Sequence, residues 1–215
     1  MRAVPLGASE RGGPSSADLW ERLHSDARFR PRYPSERVVQ FLSRLSGRLL
    51  DFGCGAGRHM KLAKELGFDV YGADISSVGR QYAIEWGRIG ELSEFENDFF
   101  DVIVCYGVLY YLSAAEMDPT ISELRRVLRG QMLVVVRSMK DYRIHCCKPL
   151  GRGDYLVTGG DGRVQSERGM LMHFMSKKEI LRRFRHFSAI QIDEIISTTE
   201  GGKYRDADYV VRVAK

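Results

Sequence analysis

Apolar positions along the chain change their period repeatedly, and the changes mark an alternation of helices and strands. Leu19, Trp20, Leu23 and Phe29 recur at helical spacing until Pro31 and Pro34 interrupt them. Ser35 then stands as the N-cap of a second helix, with Val38, Val39, Phe41, Leu42 and Leu45 as its apolar face and Gly47 as its end. Beyond Gly47 the pattern becomes strand-like over 48–53, helical over 57–67 and strand-like again over 68–74, which is a βαβ unit. A helix over 76–87, a buried strand over 100–107, a helix from Asp118 to Leu128 and a strand over 131–138 continue the series. Ser176 caps a helix over 177–184, and two closing strands, 187–196 and 208–213, join through the Gly201–Gly202 turn. Strands that alternate with helices argue for a mostly parallel sheet covered on both faces.

Two stretches fall outside this rhythm. Residues 1–17, rich in Gly, Pro, Ser and Ala, read as a disordered tail that precedes a single domain over 18–215. Residues 139–175 mix glycines, charges and aromatics without a sustained period, and such a long insertion in a compact domain is usually functional, here a mobile lid. The 215 residues, 44% of them hydrophobic, suffice for one continuous core. A net charge of +5 comes from 33 basic residues scattered among 28 acidic ones, with no basic stripe, so no nucleic-acid partner is expected. Cys54, Cys105, Cys146 and Cys147 show neither metal-ligand spacing nor a disulfide framework. The longest apolar runs are strand-length, so the chain is expected to be cytoplasmic, without membrane insertion and without a metal.

The chemistry concentrates where the first buried strand meets its helix, at Asp51-Phe52-Gly53-Cys54-Gly55-Ala56-Gly57. Glycines there let the backbone turn sharply and admit a ligand closely. At the end of the second strand stands Asp74, an acidic side chain suited to accept hydrogen bonds from both hydroxyls of a ribose; the alternative is that it only caps the next helix. A dinucleotide site would use Gly-x-Gly-x-x-Gly, and its pyrophosphate would be repelled by Asp51. A cationic sulfonium ligand tolerates that carboxylate.

The segments 51–59, 71–76, 100–112 and 123–128 with the strand that follows resemble, in order, the successive motifs of class I S-adenosylmethionine-dependent methyltransferases, small-molecule type. The resemblance runs from about Arg48 to Arg137 and in outline to the C-terminus. It implies a doubly wound, mostly parallel Rossmann-like α/β sheet with an antiparallel C-terminal strand, and S-adenosyl-L-methionine as cofactor. It further implies that Asp51, Gly53, Cys54, Gly55 and Gly57 cradle the methionine part, that Asp74 binds the ribose and that Ile75 packs on the adenine. Cys105 and Tyr106 would line the sulfonium side. Two segments depart from the pattern: residues 84–101 show no clear third strand, with Arg88 near the usual acidic position and Glu91 as its substitute, and the usual Pro-Gly-Gly turn is reduced to Leu128-Arg129-Gly130-Gln131.

A small-molecule, sugar or lipid-linked acceptor would then meet residues beyond the carboxyl ends of the strands: Tyr110, Tyr111, Arg137, Lys140 and the insertion with Tyr142, His145 and His173. His173, an imidazole among apolar residues, is the preferred general base and His145 the second; the alternative for His173 is a packed, hydrogen-bonded histidine. Tyr110 and Tyr111 serve the acceptor or the core. Trp20, Arg32 and Tyr33 are placed to close the cofactor site from the N-terminal side. A non-catalytic protein of the same fold is the rival reading, and a nicotinamide-dependent oxidoreductase a more distant one.

Overall fold

The computed structural model describes residues 15–160 and 163–215. The elements follow in the order α1 (Ser16–Ser25), α2 (Glu36–Leu42), β1 (Arg48–Phe52), α3 (Arg58–Glu65), β2 (Asp69–Ala73), α4 (Ser77–Ala83) and β3 (Arg88–Ile89). After these come β4 (Phe100–Tyr106), α5 (Ala114–Val127), β5 (Leu128–Arg137), β6 (Cys147–Gly151), β7 (Asp154–Val157), β8 (Leu171–His173), α6 (Lys177–Arg183), β9 (Ala189–Thr199) and β10 (Tyr204–Ala214). Seven strands form one sheet in the order β3-β2-β1-β4-β5-β10-β9. β1 pairs in parallel with both β2 and β4, whereas β9 and β10 are antiparallel over their whole length. Strand order reverses between β1 and β4, the position at which open α/β sheets bind ligands.

Cα packing separates the chain into two compact units, one of Met1–Tyr106, Ser122–Leu133 and Lys215, the other of Gly107–Ile121 and Val134–Ala214. In the first, Leu49 and Leu50 of β1 and Val102, Ile103 and Val104 of β4 are buried, as are Met60 and Ala63 of α3, which packs on β1 and β2. Those strands carry no alternation because neither of their faces meets water. In the second, Phe174, Phe184 and Ile180 form the core under α6, with Val210, Val211 and Val213 of β10 also buried.

Four local differences from the sequence pattern have physical causes. The expected tail reaches into a helix: α1 begins at Ser16 because Ser15 and Asp18 form a reciprocal capping box, while residues 1–14 lie outside those described. The abbreviated third strand is present as the two residues of β3, paired with Tyr71 and Gly72. The segment after it folds around aromatic rings instead, with Phe95, Phe99 and Phe100 each 5.4–5.7 Å from Tyr71. No turn separates α5 from β5, and Gly130 lies flat against Asp101, whose carbonyl would collide with any Cβ. α5 itself starts four residues before Asp118 and contains Pro119, which removes one helical hydrogen bond near its start.

Residues 139–175 contain the three-stranded antiparallel sheet β6-β7-β8. Its strands are three to five residues long and mostly half-exposed, so no period of two develops in the sequence.

Candidate cofactor site

The glycine-rich turn after β1 is anchored on the end of β2, where the N–H groups of Gly53 and Cys54 both donate to the Ala73 carbonyl, at 2.7 and 3.1 Å. Gly53, Gly55 and Gly57 all adopt left-handed φ, of 76°, 52° and 84°. Each would cost an L-residue about 1–2 kcal/mol in backbone strain alone. Asp51, just before the turn, is only 1% exposed, and its Oδ2 has no hydrogen-bond partner among the described residues. Its other oxygen lies 3.8 Å from Nδ1 of the buried His59, whose Nε2 accepts from the Ser35 N–H at 3.3 Å. A buried carboxylate oxygen with no donor calls for a cation or an N–H at that point.

Asp74 faces the same turn from the end of β2. Its Oδ2 accepts from the Gly55 N–H at 2.7 Å and its Oδ1 from the Ser76 N–H at 2.8 Å. Burial raises the Asp74 carboxyl above its ordinary range against the pull of those two donors. The capping alternative therefore holds in part, since Asp74 orders the N-cap residue of α4 while pinning the turn. Ile75 is half-buried beside it.

The sequence pattern does not single out the side chain that lies directly on this turn. His24 of α1 packs on it: a Cβ on Gly55 would lie 3.3 Å from His24 Nε2, and one on Gly79 would lie 2.8 Å from His24 Nδ1. That Nδ1 is buried without a hydrogen-bond partner, and burial lowers the imidazole pKa against the pull of Asp74 and Glu21. α1 is held there by Glu21, whose carboxylate accepts from Ser77 N–H at 2.6 Å, Val78 N–H at 3.0 Å and Ser76 Oγ at 3.1 Å. A side chain 55 residues away in sequence thus completes the N-terminus of α4. The Trp20 ring lies against His24, with centroids 5.5 Å apart. Arg32 and Tyr33 line a cleft of about 280 Å³ with Arg58 and Lys61.

Of the two residues expected on the sulfonium side, Cys105 is fully buried in β4, whereas Tyr106 is half-buried with its ring against His59 and under Arg58, both at 5.3 Å. Burial also pushes the Cys54 thiol far up, which keeps it inert.

In the second unit Tyr110 and Tyr111 sit together with ring centroids 4.5 Å apart. His145 is exposed in a 3-10 turn. His173 is wholly buried and gripped at both nitrogens, Nδ1 at 2.6 Å from Asp154 and Nε2 at 3.0 Å from Glu179. Burial works against its charge, but the two carboxylates outweigh it and raise its pKa. Asp154 accepts in turn from the Ala114 N–H at the start of α5, and Glu179 from Arg183. With both ring nitrogens engaged by carboxylates, the arrangement favours the packed, hydrogen-bonded alternative for His173 over the general base. Among the described residues, no cluster of His, Cys, Asp and Glu could hold a metal, and no helix is long and apolar enough to cross a membrane.

With this geometry in place, comparison with known proteins is informative. A model of the family described as methyltransferase domain matches residues 27–188. No curated protein matches the chain. Among solved structures, a S-adenosylmethionine-dependent methyltransferase from Methanosarcina mazei is 20% identical, with a TM-score of 0.63 over 85% of this chain and 98% of that one. The Burkholderia thailandensis 1,6-didemethyltoxoflavin-N1-methyltransferase, with bound 1,6-didemethyltoxoflavin and S-adenosylhomocysteine, is 16% identical with a TM-score of 0.58 over 93% and 79%. The Synechocystis magnesium protoporphyrin IX methyltransferase with bound S-adenosylmethionine is 15% identical with a TM-score of 0.57 over 92% and 90%. Strand order, the turn after β1 and the family match agree, and the chain belongs to the methyltransferase-domain family, with the class I S-adenosylmethionine-dependent methyltransferase fold.

Proposed function

We propose that this protein is an S-adenosylmethionine-dependent methyltransferase acting on a small-molecule, sugar or lipid-linked acceptor. The observation that carries the reading is the unpartnered Oδ2 of Asp51, buried at a turn of three left-handed glycines with Asp74 opposite. S-adenosylmethionine would supply an activated methyl group on a cationic sulfur. Asp51 then meets the ammonium of the methionine part, with Gly53, Cys54, Gly55 and Gly57 giving the backbone room to approach it. Asp74 and Ile75 take the ribose and adenine, and Tyr106 the sulfonium side, with Cys105 supporting the strand from within the core. Burial disfavours a charge on His24 beside Asp51 and Asp74, which suits a ligand of net positive charge.

Methyl transfer to an acceptor is an in-line displacement, and alignment supplies much of its acceleration. Tyr110 and Tyr111 are assigned to the acceptor side. Neither His173, held between two carboxylates, nor the exposed His145 supports a proton-abstracting role, so catalysis rests on alignment unless another group serves. Calorimetry with S-adenosylmethionine, S-adenosylhomocysteine and NAD tests the reading. Binding of the first two and not of NAD is expected; binding of NAD alone overturns it, and cofactor binding without turnover over a broad acceptor panel favours the non-catalytic rival.

A further inference from the structure

The cleft between residues 32–34 and α3 gathers charges that the reading above leaves unused. Arg32, Arg58 and Lys61 line its volume of about 280 Å³, and one carboxylate, Glu65, stands with them. None of these four side chains forms an ion pair among the described residues. The cations are oriented instead by groups that do not neutralise them. Arg58 Nη1 donates to the Tyr33 carbonyl at 3.4 Å and its guanidinium lies over the Tyr106 ring at 5.3 Å, while Lys61 Nζ lies 5.2 Å from the centre of the Trp86 ring. Pro31 and Pro34 bracket Arg32 and Tyr33 and restrict the backbone on both sides. The Ser35 N–H donates to His59 Nε2 at 3.3 Å, which ties the segment to α3. Tyr33 is 82% exposed, so its hydroxyl is accessible to a ligand.

Cations that converge on one cleft without counter-charges repel one another, and an anion placed among them removes that cost. The amount of charge narrows the class. Three cations against the carboxylate of Glu65 leave an excess of two positive charges. A phosphate monoester, which carries about −1.5 to −2 at pH 7, matches that excess, whereas a monocarboxylate leaves half of it standing. Guanidiniums meet phosphate oxygens with paired donors, and an ammonium adds a point charge. The volume is close to the ~300 Å³ at which small-molecule pockets begin, so the first atoms of the group carrying the phosphate also find room. The cleft adjoins the candidate cofactor site within the same compact unit: Arg58 covers Tyr106, assigned above to the sulfonium side, and the next residue, His59, stands 3.8 Å from Asp51.

We propose that this cleft is a subsite for a phosphate monoester, with Arg32, Arg58 and Lys61 binding its oxygens. Only the assignment of that phosphate to the methyl acceptor rests on the methyltransferase reading.

The test uses the full chain with glucose 6-phosphate, glycerol 3-phosphate and phenyl phosphate as probes and with glucose, glycerol and glucuronate as their counterparts. Calorimetry and amide-resolved NMR are run with and without S-adenosylhomocysteine. Co-sedimentation with phosphatidylcholine vesicles, with and without phosphatidic acid, distinguishes a lipid-borne monoester from a free one. At least one of these phosphates is expected to bind, a free ester at least tenfold more tightly than its counterpart, with shifts at the amides of 32–35 and 58–65 and an affinity that falls as salt is raised. Lys61→Gln and Arg32→Gln, at exposed positions where folding should persist, are each expected to weaken it about tenfold. Lys61→Gln should leave the affinity for S-adenosylhomocysteine within about twofold. The proposal is overturned if neither free esters nor phosphatidic acid vesicles bind, if glucuronate binds as tightly as glucose 6-phosphate, or if the folded variants hold the phosphate as well as the wild type. It is equally overturned if S-adenosylhomocysteine competes with the phosphate or weakens in parallel in Lys61→Gln, the cleft then holding the carboxylate of the methionine part. Failure of S-adenosylhomocysteine to bind at all would strike the methyltransferase reading instead, since the phosphate titrations without it still judge the cleft.

Discussion

Glu21 is the side chain whose loss tests most directly how α1 is held over the glycine turn. Glu21→Ala removes the acceptor for the first two N–H groups of α4 and for the Ser76 hydroxyl. Replacing a good N-terminal cap by alanine costs about 0.5–2 kcal/mol, and losing a negative charge at a helix N-terminus adds about 0.3–1 kcal/mol. Glu21 is half-exposed and water takes over part of both contributions, so a net loss of about 1 kcal/mol is expected, a fall in Tm of roughly 2–4 °C for a chain of this length. Glu21→Gln, which keeps the reach without the charge, should lose about half as much. Burial opposes ionisation here, but the N–H donors of Val78 and Ser77 outweigh it and bring the Glu21 pKa down from 4.5 to about 2. Its contribution is thus fully present above pH 4.5 and disappears as the pH falls toward about 2. Hydrogen exchange distinguishes local from global effects: amides of α1 and of the first turn of α4 should exchange faster in Glu21→Ala, with β1 and β4 unaffected. Unchanged exchange in α1 together with an unchanged Tm would refute the view that this carboxylate straps α1 to the site.

Other perturbations separate the cofactor site from the structural network around His173. Asp74→Ala should weaken S-adenosylhomocysteine by about 1.5–3 kcal/mol, the range for hydrogen bonds to a charged group, and a calorimetric Kd equal to wild type would remove Asp74 from the ribose site. Gly55→Val places a branched side chain at φ 52° and against His24, so binding should vanish while the circular dichroism spectrum persists; retained binding would make the turn purely structural. His173→Gln should destabilise the protein by about 3–5 kcal/mol through its stranded carboxylates, with S-adenosylhomocysteine affinity unchanged, measured by urea unfolding and calorimetry. Because the folded-state pKa of His173 is raised, its stabilisation is complete below pH 6.5 and is lost as the pH rises through that higher value, so the wild-type unfolding midpoint should fall there and that of His173→Gln should not.

Much of the fold is legible because its signals are local. β1, β2, β4 and β5 are continuous apolar runs, as strands buried on both faces must be, and Gly47, Gly67 and Ser76 punctuate them where the chain turns. The short strands β6 to β8 escape such reading because half-exposed strands of three to five residues carry no period distinguishable from loop. β3 is hidden for a related reason: two residues of pairing leave almost no trace, and the region is held by Tyr71, Phe95, Phe99 and Phe100, whose mutual approach depends on tertiary folding.

The site divides along the same line. Asp51, the three glycines and Asp74 are visible because the chemistry fixes their spacing along one βαβ unit, so proximity in sequence stands for proximity in space. Glu21 meets the start of α4 from 55 residues away and His24 packs on the turn, both from a helix whose sequence records only that it is amphipathic. His173 marks the limit of reading from sequence neighbours. Apolar neighbours in sequence suggest an imidazole with a freely adjustable pKa, but alternate residues of β8 point to opposite faces, so Met172 and Phe174 do not report what His173 touches. What it touches is Asp154 from β7 and Glu179 from α6, which occupy both ring nitrogens and raise its pKa. The same reasoning explains why Asp208 goes unnoticed in a strand read for its valines: an acidic side chain acquires a role only when folding brings Arg137 to within 3.5 Å of it.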